Sequence, residues 1–123
     1  MKRLLYFTIV FFVIGAILFF ALYAKETKVM YEEEFAVNAE EFDIDKNLIM
    51  AVAKTESGFD AKAKSRAGAV GVMQLMPSTA KWVSDELGID YSEEKLVDPK
   101  VNIKLGSYYL SHLIKNIKTQ FML

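Results

Sequence analysis

The pattern of apolar and polar positions divides the chain in two. From Leu4 to Ala24 only Thr8 and Gly15 fall outside the hydrophobic set, and no position is charged. As a helix, this run of 21 residues rises about 31 Å, close to the thickness of a bilayer's hydrocarbon core. Lys2 and Arg3 precede it, and Tyr6 and Tyr23 stand near its ends, where amphipathic rings favour the interface. A cleaved signal peptide is the rival reading, but its apolar region is shorter and small residues precede its cleavage site. Here Leu22 stands where a small residue belongs if cleavage followed Ala24. Residues 1–24 therefore read as a transmembrane anchor that crosses the bilayer through residues 4–24. The basic Lys2 and Arg3 place the N-terminus in the cytoplasm and the rest of the chain outside it, a single-pass protein of the cell membrane. Lys25 and Lys28 reduce the charge asymmetry behind that orientation. Residues 25–34 are charged and read as a juxtamembrane tether.

Beyond the tether the apolar positions follow a helical period. Phe35, Ala39 and Phe42 share a face of a helix spanning Tyr31 to Phe42. Asp45 can cap a helix running through Ser57, with Leu48, Ile49, Val52 and Ala53 as its stripe and Gly58 as its stop. Pro77 suits a first helical position, and that helix carries Ala80, Val83 and Leu87 inward before Gly88. Asp98-Pro99 opens a long helix with Val101, Leu105, Tyr108 or Tyr109, Ile114 and Ile117 inward. No segment alternates like a half-buried strand. The expected fold class is all-α, an N-terminal transmembrane helix followed by a small helical domain over residues 35–123.

Composition narrows the chemistry. The 123 residues are 53% hydrophobic, but beyond residue 24 the share falls to about 45%, ordinary for a globular domain. Fifteen Lys+Arg against sixteen Asp+Glu give a net charge of -1, without the basic excess that phosphate backbones attract, so nucleic acid is not an expected partner. With no cysteine and a single histidine, His112, the chain has no disulfide, thiolate or His-based metal site and no Ser-His-Asp triad. No metal or cofactor is expected, which leaves carboxylates, amides, hydroxyls and backbone.

One carboxylate stands out. Leu48, Val52 and Glu56 are four residues apart, so Glu56 projects from the apolar side of its helix. It also sits near the helix's negative end. Desolvation and the helix end each favour the protonated form, which is what protonation of a glycosidic leaving oxygen needs. The competing reading has Glu56 reaching water or pairing with Lys54 or Lys62. Gly58, Gly68 and Gly71 follow, with the polar run Asp60 to Arg66 between them. Such glycines permit positive φ and close backbone approach to a ligand, but the G-K-[ST] ending of a phosphate-binding loop is absent. Met73, Leu75 and Met76 surround Gln74, an amide among apolar groups. That setting suits an N-acetylated sugar, with core filler as the alternative use of the methionines. Trp82 packs its helix or stacks on a sugar, His112 is a surface or core-edge residue, and Lys62, Lys64 and Arg66 form a solvated loop or meet anionic material.

Together these residues resemble the soluble lytic transglycosylase family, whose domain is related to goose-type lysozyme. The likeness runs Glu56-Ser57-Gly58-Phe59, Ser65, and Ala67 through Ala80 (A-G-A-V-G-V-M-Q-L-M-P-S-T-A). It resumes at Asp98-Pro99, Asn102, Gly106 and Tyr109-Leu110. The resemblance implies a lysozyme-like helical domain and Glu56 as general acid and base. Ser57 would lie beside the acid, and Ser65, Gln74 and Met76 would line the glycan cleft. It also implies the substrate, peptidoglycan, cleaved at the β-1,4 bond between N-acetylmuramic acid and N-acetylglucosamine with a 1,6-anhydro product. One acid suffices if the substrate's N-acetyl oxygen assists, and neither Asp60 nor Asp98 is well placed as a second carboxylate. The family continues into an A-Y-N-A-G-type segment that residues 119–123 do not carry. The expectation is thus a C-terminally incomplete catalytic domain of reduced activity. The alternative is a truncated, weakly active or inactive glycan-binding module.

Overall fold

The computed structural model describes residues 1–25 and 30–122. It divides the chain into two compact units, Met1–Met30 and Tyr31–Leu123. Of the expected tether, residues 26–29 lie outside the described residues, while Glu32, Glu33 and Glu34 already form the first turn of a domain helix.

The first unit is helix α1, Lys2–Lys25. Its large side chains from Leu4 to Leu22 are mostly exposed, and the Thr8 hydroxyl donates within the helix to the Leu5 carbonyl at 2.8 Å. Such a helix satisfies its own backbone polar groups and, between its charged first residues and Leu22, presents almost entirely apolar side chains outward, as a lipid environment requires. Among the described residues it is the one helix long and apolar enough to cross a membrane.

The second unit is all-helical: α2 (Glu32–Glu41), α3 (Lys46–Ser57), α4 (Pro77–Leu87), a short 3-10 helix (Glu93–Val97) and α5 (Pro99–Phe121). The expected boundaries hold because their causes are local. Asp45 accepts the Asn47 N–H at 2.7 Å and Asp98 accepts the Lys100 N–H at 2.9 Å, satisfying donors at the helix starts. Gly58 and Gly88 end α3 and α4 at φ 62 and 66. The 3-10 helix was not foreseen, since five residues carry too little periodicity.

Two apolar clusters share α5. One joins Phe35 of α2, Ile49 and Ala53 of α3, the Val72-Met73 segment and Ile103. The other joins Leu75, Ala80 and Val83 of α4, Leu96 and Leu105. The segment between α3 and α4 threads between them, its only ladder contacts being single bridges Lys64–Val70 and Val70–Leu75. Two expected inward positions are corrected. Ile117 is exposed because, among the described residues of the second unit, no element packs on the last turns of α5, and Leu48 is exposed because the covered face of α3 is the Ile49–Ala53 line. Trp82 packs edge-on against His112 at 5.0 Å and against Tyr109 at 6.2 Å between ring centres, at the rim of the domain.

Candidate active site

Asn102 organises the site. Wholly buried on α5, it accepts the Met73 N–H at 2.7 Å and donates to the Val70 and Leu96 carbonyls at 2.9 and 3.0 Å. One side chain thereby holds the α3–α4 segment and the 3-10 helix against α5. Close approach makes this possible at two glycines. A Cβ on Gly71 would collide with the Asn102 side chain and stand 2.8 Å from the Leu96 carbonyl oxygen. On Gly106 it would stand 2.8 Å from Met73 Cβ. From the other side, the Ser57 hydroxyl donates to the Val72 carbonyl at 2.6 Å, tying the end of α3 to the same segment.

These ties set the floor of a groove of about 240 Å³. Val52 and Glu56 of α3 form one wall, Met73, Gln74 and Leu75 the floor, and Gly106, Tyr109, Leu110 and Leu113 of α5 the other wall. Glu56 is its single carboxylate. Asp60 accepts the Lys62 N–H in a turn, and Asp98 caps α5, so neither enters the groove. Among the described residues no cluster of His, Asp and Glu is fit to hold a metal.

Glu56 differs from expectation in one respect: it is exposed, not covered by apolar side chains. The Leu48–Val52–Glu56 row is the rim of α3 rather than its buried face, since no described element of the second unit packs over the groove. Glu56 pairs with no cation among the described residues, and Lys54 lies over the Phe59 ring at 5.4 Å. Gln74 sits at φ 51 and its amide nitrogen donates to Ala63 and Gly71 carbonyls at 3.0 and 3.1 Å. With both N–H groups engaged, its acyl oxygen is the polar atom left for a ligand in the groove.

The other expected site residues stand apart. The Ser57 hydroxyl faces Val72. The Ser65 hydroxyl accepts the Ala69 N–H at 3.0 Å in an exposed turn. Met76 lines a separate groove with Lys62 and Lys64. The α5 wall received no role in the sequence reading. The spacing 106, 109, 110, 113 is the signal that finds it, one helical face running alongside the buried one.

The transglycosylase SLT domain model matches residues 33–123. A putative soluble lytic murein transglycosylase of Haemophilus influenzae is 39% identical over 84 residues, 68% of this chain and 14% of that protein. Membrane-bound lytic murein transglycosylase E of Buchnera aphidicola is 34% identical over 94 residues, 74% of this chain and 42% of its own length. The X-ray structure of an inactive mutant of lytic transglycosylase Slt from Pseudomonas aeruginosa matches with a TM-score of 0.68 and 36% identity, over 76% of this chain and 15% of that one. The chain thus spans less than half of the length of each of these relatives.

Proposed function

The chain belongs to the transglycosylase SLT domain family, and from that premise we propose that it is a membrane-anchored peptidoglycan lytic transglycosylase. It cleaves the β-1,4 bond between N-acetylmuramic acid and N-acetylglucosamine, with Glu56 as the single general acid and base. The observation that carries this reading is the groove with one carboxylate at its rim, the amide residue Gln74 in its floor and apolar walls.

A glycan laid in the groove covers the Glu56 carboxyl and removes water from it. The acid gives its proton to the leaving glycosidic oxygen as the C1–O bond breaks, while the N-acetyl oxygen bonds to C1 from the opposite face. The resulting carboxylate then takes the proton of the muramic acid C6 hydroxyl. O6 bonds to C1, the acetyl oxygen leaves, and Glu56 is again an acid. No water is consumed, and a second protein carboxylate has no step to perform. Met73, Leu75 and Tyr109 offer apolar surface to sugar faces, and the Gln74 oxygen accepts from a hydroxyl or acetamido N–H. Helix α1 crosses the cell membrane with the N-terminus cytoplasmic and the domain outside, where the wall is.

Digestion of purified peptidoglycan followed by mass analysis tests this. The wild-type protein is expected to release muropeptides lighter by one water than hydrolysed ones, and Glu56→Gln to lower the rate by about 10³-fold. An unchanged rate in Glu56→Gln rules the assignment out. One observation favours a weaker second reading. The wall formed by α5 is open beyond Leu113, where Ile117 and Phe121 are 53% and 84% exposed. On that reading the domain is a glycan-binding module of low turnover, retained on peptidoglycan without releasing product.

A further inference from the structure

The last turns of α5 carry an apolar stripe that no described element of the second unit covers. Leu113, Ile114, Ile117 and Phe121 share an arc of about 100° on the helix. Ile114 is half-buried, and the other three are exposed. Away from the stripe, Asn116 bonds to His112 at 2.9 Å and the Thr119 hydroxyl donates to the Lys115 carbonyl at 2.9 Å. Those polar side chains are satisfied within the helix. Lys115 and Lys118 have no ion-pair partner among the described residues.

The charge pattern selects what covers the stripe. Residues 31–98 carry fifteen Asp+Glu against seven Lys+Arg, whereas residues 99–123 carry four lysines and no Asp or Glu. An acidic body thus ends in a basic amphipathic helix, the pattern of a segment that meets a membrane surface. A second α5 laid on the stripe would bring lysines against lysines. A phosphodiester polymer would match the lysines but leave Ile117 and Phe121 in water. An anionic bilayer surface takes both, hydrocarbon below the headgroups and ammonium groups among the phosphates. We propose that the tail of α5, residues 113–121, docks on an anionic phospholipid surface, a proposal that rests on the reading of α1 as a membrane anchor. So short a helix binds lipid weakly on its own. Attachment through α1 supplies the effective concentration that makes docking favourable.

The chain has no cysteine, so a nitroxide on Gln120→Cys, beside the stripe, is a single probe in the full protein. The labelled protein would be reconstituted in vesicles of phosphatidylcholine alone or mixed with an equal part of phosphatidylglycerol. In the mixed vesicles the probe is expected to be shielded from a water-soluble relaxing agent and open to dissolved oxygen. The ratio of docked to free tails should fall about tenfold or more in phosphatidylcholine alone, or when Lys115→Gln and Lys118→Gln are added. Raised salt should lower it as well. Ile117→Ser with Phe121→Ser should abolish docking while leaving far-UV circular dichroism unchanged, since both side chains are exposed. A probe equally open to the aqueous agent in both lipids, or shielding that survives the lysine substitutions, overturns the proposal. Shielding with dipolar broadening that grows with the protein-to-lipid ratio overturns it in favour of a second copy of the chain. Flotation of the vesicles scores the anchor separately. Protein that does not float removes the anchor reading and this proposal with it, whereas floating protein with an open probe removes the docking alone.

Discussion

Tyr91 carries a buried phenol oxygen without a hydrogen-bond partner, packed beside the Leu75–Leu105 cluster. Burial, reinforced by the neighbouring Glu93 carboxylate and opposed by Lys81, holds its ionisation above the ordinary value of 10.0. A group whose folded pKa is raised contributes stability that is whole below the unfolded value and lost as pH rises through the folded one. Tyr91→Phe should therefore flatten the alkaline decline in unfolding free energy above pH about 10. At neutral pH it should leave stability unchanged or raise it by up to about 1 kcal/mol, since no bond is lost. Denaturant titrations of both proteins across that range give the comparison, and an identical alkaline slope sinks the assignment. Glu56, by contrast, remains open to water at a groove rim.

At the scale of elements, the domain depends on how an irregular segment is joined to helices. Residues 58–76 contain no helix or strand, yet Val72, Met73 and Leu75 are core residues. Their polar backbone groups need partners that regular structure does not supply. Asn102 supplies two of them, to the Met73 N–H and the Val70 carbonyl, and a third to the Leu96 carbonyl of the 3-10 helix. Asn102→Ala would leave the Met73 N–H and the Val70 and Leu96 carbonyls without that side chain, at a cost of about 3 kcal/mol in urea unfolding. Asn116→Ala on the exposed side of the same helix should cost less than about 0.5 kcal/mol. Because the segment is the groove floor, the first variant should also raise KM for glycan at temperatures where it remains folded. Equal, small effects from both would mean that the segment is held by apolar packing alone.

The whole molecule joins two units with different solvents. Helix α1 exposes Phe and Leu side chains all round and belongs in hydrocarbon. The unit from Tyr31 onward has its own core and belongs in water. Deleting residues 1–25 should move the protein from the membrane fraction to the soluble fraction while leaving the far-UV circular dichroism of α2–α5 in place. Retention in the membrane fraction after deletion would require a second attachment within the domain. The exposed Leu113, Ile117 and Phe121 on α5 would be the first place to look for one.

How far the sequence reads follows from the range of the forces involved. Asp45, Gly58, Pro77, Gly88 and Asp98-Pro99 act on backbone groups within four residues of themselves, so helix starts and stops were determined locally. So was the membrane-length run, which depends only on hydrophobicity and length. Glu56 and Gln74 were legible as chemistry out of place, an acid and an amide on apolar stretches. Their surroundings were decided by tertiary structure. Gln74 donates to Ala63, eleven residues away, Ser57 to Val72, fifteen away, and Asn102 to Val70, thirty-two away. Such bonds exist only once the helices have docked and set both the distance and the direction. Docking also chose which face of α3 is covered, leaving Glu56 at an open rim, and turned the 106–113 face of α5 into the opposite wall. Periodicity shows that a helix has an apolar face, but which partner covers it, and where cover stops and a groove begins, is settled only by the packing of the other elements.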